Sequence, residues 1–188
     1  WSLKIGIDDQ ELSINFPVQD SREKTLVKIT EMRKRLENAI PLLSPQVRVN
    51  IAMASNDAAT RSDIVAFPGR LTPVGGKARP LSSPKFGSSS HLSELLLDLR
   101  KFDSNASIII NLRWDSIISE LLKELNVSSV KLSRNGDDLS ISESATEAEA
   151  LIDEGGHGFE PSLYIIGNNY DRVCRIVEDL AKSMEAMA

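Results

Sequence analysis

Apolar positions along this chain change period several times, and each change predicts an element. Between residues 21 and 40 they recur at Leu26, Ile29, Met32, Leu36 and Ile40, the spacing of one helical stripe. Asp20 with Glu23 three positions on has the form of a capping box, and Pro41 and Pro45 bound the exit. The opposite face carries Lys24, Lys28, Arg33, Lys34 and Arg35, which reads as a solvated face ahead of a binding patch. Before this helix, residues 3–7 and 12–16 are β-like around Asp8-Asp9-Gln10, giving a hairpin or a linker over residues 1–20. Over 47–53, Val47, Val49, Ile51 and Met53 alternate with Arg48, Asn50 and Ala52, which predicts a half-buried strand. Residues 64–67 are short and apolar, and Pro68-Gly69-Arg70 turns the chain. Residues 71–74 and 77–81 flank Gly75-Gly76 as a glycine hairpin, placed at a sheet edge by Pro73 and Pro80.

The second half has a β–α–β rhythm. Leu92, Leu95, Leu96 and Leu99 form the stripe of a helix over 92–101, with Ser88, Ser89 and Ser90 as candidate N-caps. Residues 107–112 are too uniformly apolar to face water on either side. Asp115 caps a helix carrying Ile117, Ile118, Leu121, Leu122 and Leu125. A strand over 127–133, a turn at Asn135-Gly136-Asp137, a short helix over 146–153 and a central strand over 163–166 follow. The last helix starts near Asp171 and buries Val173, Ile176, Val177, Leu180 and Met184.

Composition narrows the class. The chain has 188 residues, 41% hydrophobic and 26% charged, which suits one globular domain over 21–188. A net charge of -5 argues against nucleic-acid binding by this domain. One cysteine rules out a disulfide framework and makes a reducing cytoplasm the simplest setting. No apolar run reaches the roughly 20 residues of a membrane span, and no signal peptide is visible. The chain opens on Trp1 and not Met, so a fragment or processed product is expected.

The candidate chemistry centres on residues 151–167, LIDEGGHGFEPSLYIIG. Gly155, Gly156 and Gly158 let the backbone approach a ligand closely, and Asp153, Glu154, His157 and Glu160 surround them. The same residues also fit a helix C-cap and tight turn with His157 in solvent. Gly87, Ser88, Ser89, Ser90 and His91 start a helix and offer N–H groups, hydroxyls and a dipole end to a phosphate, although the Walker Gly-Lys ending is absent. Serine runs also cap helices without binding anything. Arg113 and Arg134 fall just past strand ends, where ligands gather in open α/β sheets, and both are expected to hold phosphate. His91 and His157 are the two histidines and the natural acid–base groups. No HExxH pair, cysteine cluster or GxSxG elbow is present, so zinc and serine-hydrolase chemistry are disfavoured. Magnesium held by Asp153, Glu154 or Glu160 together with a substrate phosphate is compatible with these residues. The inventory suits a small phosphorylated ligand, or a substitution in which pyrophosphate leaves and arginines stabilise the developing charge.

The ordered set NIAMA (50–54), DIVAFPGR (63–70), FGSSSH (86–91), KFD (101–103), NLRWD (111–115) and GGHGFEPSLYIIG (155–167) resembles the archaeal ThiN family of thiamine-phosphate synthase domains. The resemblance covers about residues 21–182. It implies a three-layer α/β/α fold with a mixed, largely antiparallel sheet, like class II aldolases. It also implies ligand contacts from Gly87, Ser88, His91, Asn111, Arg113, Arg134 and Glu160, and catalytic roles for His157, Arg134 and Arg113 if the chain is an enzyme. Family members are either synthases fused behind a pyrimidine kinase or sensor domains behind a helix-turn-helix. Phe159 stands where synthases carry lysine, and residues 135–154 are shorter here. These departures make a thiamine-phosphate sensor of a transcriptional regulator the first expectation and a synthase the alternative. A homodimer is compatible with this reading, and no membrane contact and no nucleic acid bound by this domain are expected.

Overall fold

The computed structural model describes residues 21–136 and 138–187, together with the backbone of 2–7 and 10–15. The strands are β1 (Ser2–Ile7), β2 (Gln10–Asn15), β3 (Ile51–Ala54), β4 (Ile64–Ala66), β5 (Leu71–Val74), β6 (Lys77–Pro80), β7 (Lys85–Phe86), β8 (Ile108–Arg113), β9 (Ser129–Lys131), β10 (Ser133–Asn135), β11 (Asp138–Ser140), β12 (Ala150–Asp153) and β13 (Ser162–Gly167). The helices are α1 (Ser21–Arg35), α2 (Ser90–Arg100), α3 (Ser116–Glu124) and α4 (Tyr170–Ala186), with 3-10 turns at Ile40–Leu43, Arg61–Asp63 and Glu143–Glu147. β1 and β2 pair antiparallel, Ser2 with Asn15 through Ile7 with Gln10. The Asp8-Asp9 turn between them, the Asp20 cap of α1 and Asp137 lie outside the described residues.

Seven strands form the main sheet in the order β7-β4-β3-β8-β13-β12-β9. Each neighbouring pair is antiparallel except β12 with β9, which is parallel. Side-chain alternation sorts each strand between two cores. Ile51, Met53, Ile108, Ile110, Leu112, Leu163 and Ile165 face α1, α3 and α4. Ala52, Ile109, Leu151, Tyr164 and Ile166 face α2, which buries Leu92, Leu95, Leu96 and Leu99 against them. The result is three layers, α/β/α, with a mixed and largely antiparallel sheet. Truncating Leu96, which is fully buried, to alanine is expected to cost about 2–5 kcal/mol.

Two expectations need correction. Residues 146–153 are not a helix: a 3-10 turn ends at Glu147, and Ala150–Asp153 is β12, buried throughout between β13 and β9. Helix-favouring Glu, Ala and Leu are overridden there because the sheet offers this segment partners on both sides. The strand over 47–53 is neither half-buried nor that long. It starts at Ile51 and is buried on both faces, because α2 covers the side on which Ala52 lies. The strand over 127–133 is real but splits at Leu132; β10 then leaves the sheet to pair with β11, Ser133 opposite Ser140. The glycine hairpin forms as expected, as a separate two-stranded sheet of β5 and β6 with both turn glycines at positive φ. Among the described residues no helix is long and apolar enough to cross a membrane.

Candidate functional site

Register across three strands sets the site. Asp153 on β12, Ser162 on β13 and Arg113 on β8 share one rung; Leu151, Tyr164 and Asn111 share the next but one. Alternation turns these side chains to the α2 side of the sheet, away from Ile152, Leu163 and Leu112. At this rim β8 and β12 end but β13 begins, a consequence of antiparallel pairing. Above the rungs lies a cavity of about 230 Å³. Its walls come from Val47 and Asn50, the Arg70 turn, the α2 start at Ser89 and His91, Arg134 of β10, and Gly158, Phe159 and Glu160 of the glycine loop.

Two buried asparagines fix the floor. The Asn111 side chain accepts from the Asn50 N–H at 2.7 Å and donates to the Arg48 carbonyl at 3.0 Å. The Asn50 side chain mimics a strand partner for Phe67, accepting its N–H at 3.1 Å and donating to its carbonyl at 3.0 Å. These bonds satisfy backbone groups that would otherwise be buried unpaired where β3 has not yet begun.

The glycine loop is pinned from both ends. Glu160 accepts from the backbone N–H groups of Gln46 at 2.8 Å and Val47 at 3.1 Å. Gly155 sits at a φ of +76°, and a Cβ there would meet the Phe159 carbonyl oxygen at 2.7 Å, so the tight return requires glycine. Gly156 and Phe159 exchange backbone hydrogen bonds of 3.2 and 3.0 Å, leaving His157 at the exposed tip.

Arg134 and Asp153 form the least exposed ion pair of the site, with side chains 15% and 3% exposed. Arg134 Nε donates to Asp153 Oδ1 at 3.1 Å and Nη2 donates to Oδ2, a bidentate fork. The guanidinium also lies 4.2 Å from the centroid of the Phe159 ring. Across the cavity His91 Nε2 is 2.8 Å from the Tyr164 hydroxyl. His91 is exposed as a residue, but its ring turns inward; loss of hydration there, and then the Arg70 charge, hold its pKa below the ordinary value. Burial, reinforced by the Asp153 carboxylate, pushes the Tyr164 phenol up to about 12. The pair is therefore neutral near pH 7.

Arg70 is a cavity residue that the sequence reading passed over as part of a turn. Pro68 and Gly69 (φ +72°) fit positions two and three of a type II turn closed by Arg70 N–H to Phe67 O at 3.2 Å. Arg70 itself follows at φ +67°, a left-handed conformation that disfavours its side chain by about 1–2 kcal/mol. Its Nη1 donates to the Val47 carbonyl. Asn50, Ser162 and Tyr164 were also passed over, because polar groups inside strands read as ordinary alternation.

Of the residues singled out from sequence, Ser89, His91, Asn111, Arg134, Asp153, Gly158 and Glu160 line the cavity. Ser89 is the N-cap of α2, accepting from the Leu92 N–H at 3.4 Å. Gly87, Ser88, Ser90, Gly155, Gly156 and His157 do not line it; Gly156 backs onto Arg134, whose Cδ would lie 3.4 Å from a Cβ there. Arg113 is the clearest departure. It occupies the rung beside Ser162, but its guanidinium is bound to Asp115, Nε at 2.7 Å and Nη2 at 2.6 Å from Oδ2, outside the cavity wall. The three carboxylates proposed for magnesium do not converge either. Asp153 is held by Arg134 and the Gly155 N–H, Glu160 by two backbone N–H groups, and Glu154 by Lys131. Among the described residues no group of three or more His, Cys, Asp or Glu side chains is arranged to hold a metal.

Comparison with known proteins agrees with this architecture. A profile of the family described as thiamine-phosphate synthase ThiN matches residues 28–179, a span that includes every cavity residue named above. The thiamine-phosphate synthase ThiN of Methanothermobacter thermautotrophicus is 24% identical over 183 residues, covering 86% of this chain and 96% of that protein. The bifunctional thiamine biosynthesis protein ThiDN of Methanocaldococcus jannaschii is 25% identical over 88% of this chain but only 42% of its own length. Among solved structures, the C-terminal domain of phosphomethylpyrimidine kinase has a TM-score of 0.70 at 19% identity, covering 84% of this chain and 98% of that one. An aldolase II superfamily protein from Pseudomonas syringae has a TM-score of 0.55 at 8% identity, covering 91% and 76%. At such identities the structures speak for the fold, which is of the class II aldolase type. With a family profile matched over most of its length and the sheet, helices and rim cavity in place, the chain belongs to the ThiN family.

Proposed function

We propose that the cavity is a thiamine-phosphate synthase site, joining hydroxymethylpyrimidine pyrophosphate to thiazole phosphate with release of pyrophosphate. The thiazole nitrogen forms a bond to the pyrimidine methylene carbon while the carbon–oxygen bond to pyrophosphate breaks. The electron pair of that bond leaves on the pyrophosphate oxygen. The charge that develops there needs fixed donors in a partly dry site. The observation that carries the reading is the pairing of two cavity guanidiniums, Arg70 and Arg134, with a neutral His91–Tyr164 pair in the lining of the same cavity. The phenol, kept protonated, is a donor that does not compete with the leaving group for positive charge. Both curated relatives are named for thiamine biosynthesis, one of them as the synthase, which favours turnover over sensing.

Ligand sensing without turnover has one observation in its favour. Phe159 is stacked on Arg134, where synthases of the family resemble a lysine-bearing loop. Incubation with both precursors and magnesium separates the two readings. Thiamine phosphate formed at roughly 1 per second, or within a few decades below it, supports the synthase. Tight binding of thiamine phosphate with no product formed from the precursors supports the sensor.

A further inference from the structure

We propose that Arg70 is the anchor for the anionic phosphate or pyrophosphate group of the ligand, while Arg134 serves mainly as a charge-compensated wall. This deepens the synthase reading and rests on it only for the identity of the ligand, not for its anionic class.

Arg134 is already neutralised by its fork to Asp153. The other carboxylate on the wall, Glu160, is directed to the Gln46 and Val47 N–H groups. Among the described residues no carboxylate forms an ion pair with Arg70; its hydrogen bond goes to the Val47 carbonyl, which leaves its full charge in the cavity. That charge is the leading electrostatic influence depressing the His91 pKa, so it is felt at the cavity wall.

Arg70 is held left-handed at φ +67° by fixed points on both sides. Phe67 is clasped by the Asn50 side chain, and Leu71 N–H donates to the Val49 carbonyl at 2.8 Å. Glycine or asparagine would relieve the conformation, and a strained long side chain that persists in a cavity wall points to a task for the side chain. Arg48 offers an internal control. It is also left-handed, at φ +69°, but its carbonyl serves Asn111 and its guanidinium reaches Thr72, outside the cavity wall.

Calorimetric titration with pyrophosphate and with inorganic phosphate tests this on the whole chain, using Arg70→Asn, Arg70→Lys and Arg48→Asn beside the unsubstituted protein. Asparagine tolerates the left-handed backbone, so Arg70→Asn should melt at or above the original temperature yet bind pyrophosphate about tenfold or more weakly. Arg70→Lys keeps the charge without the fork and should fall in between, and Arg48→Asn should bind within about twofold of the original. Arg70→Asn binding pyrophosphate as well as the unsubstituted protein overturns the proposal, as does binding of neither anion by the unsubstituted protein. Arg70-dependent pyrophosphate binding without formation of thiamine phosphate would sink the synthase reading and leave the anchor standing.

Discussion

His91 Nε2 and the Tyr164 hydroxyl stand 2.8 Å apart, and both groups are held in their uncharged forms at neutral pH. This has consequences at both ends of the pH scale. The unfolded histidine protonates near its ordinary 6.5, while the folded ring resists until lower pH. Unfolding therefore takes up a proton as pH falls below about 6.5, and stability declines over that window. At the alkaline end the unfolded tyrosine ionises near 10 and folded Tyr164 only near 12, so stability falls between those values. Tyr170, also raised to about 12, and Cys174, raised to about 11, add to the alkaline fall. Urea unfolding as a function of pH should show both declines, and Tyr164→Phe should weaken the alkaline one without removing it. An unchanged alkaline decline in that variant would contradict the assignment.

Glu160 ties the glycine loop to residues 46 and 47 through two backbone N–H groups. Glu160→Ala should destabilise the protein by about 1.5–2 kcal/mol, the lower part of the range for bonds to a charged group because the tie is partly wet. Amide exchange at Gln46 and Val47 should speed up selectively. Glu160→Gln keeps an acceptor and should lie between. Unaltered exchange at both amides in the alanine variant would count against the clasp.

Asp153→Ala would leave the Arg134 guanidinium, only 15% exposed, without its carboxylate, and should cost about 3–5 kcal/mol. Phe159→Lys acts differently. It removes a cation–π contact worth about 0.5–1 kcal/mol and sets a like charge beside Arg134, so the melting temperature should drop modestly. Pyrophosphate affinity should rise, because the added cation faces the cavity. A lysine variant that binds pyrophosphate more weakly would show that Phe159 is not a neutral substitute for a binding cation.

Arg113 is expected to matter much less than its sequence position suggested. Its pair with Asp115 is about one-third exposed on each side. Arg113→Ala should cost below about 1 kcal/mol in stability and leave ligand affinity within about twofold. A tenfold loss of phosphate affinity in that variant would return Arg113 to the site.

The residues show how far the sequence could be read. α2, α3 and α4 are legible because their stripes span several turns and because Ser89, Asp115 and Asn169 are the capping residue types such starts demand. β12 is not, since four buried residues of helix-favouring composition carry no period of their own. The glycine loop, the serine start of α2 and Arg134 are visible from residue type, but Arg70, Asn50 and Tyr164 are not. Their importance depends on which strands become neighbours: Asn111 meets Tyr164 through the β8–β13 register, and Asn50 meets Phe67 across a loop. Arg113 and Arg134 were expected just past strand ends, but Arg113 is the last residue of β8 and Arg134 lies within β10. Asp115, two residues on from Arg113, both caps α3 and takes its guanidinium.

In the proposed function, the rim cavity of β8, β12 and β13 receives the phosphorylated ligand. Mapping NMR shift changes on addition of thiamine phosphate tests it most directly. Changes should concentrate at the Asn111 side-chain amide, Gly158, His91 and the Arg70 Nε–H. Changes concentrated instead at the opposite end of β13, around Gly167 and the α4 start at Asn169, or no changes at all, would contradict it.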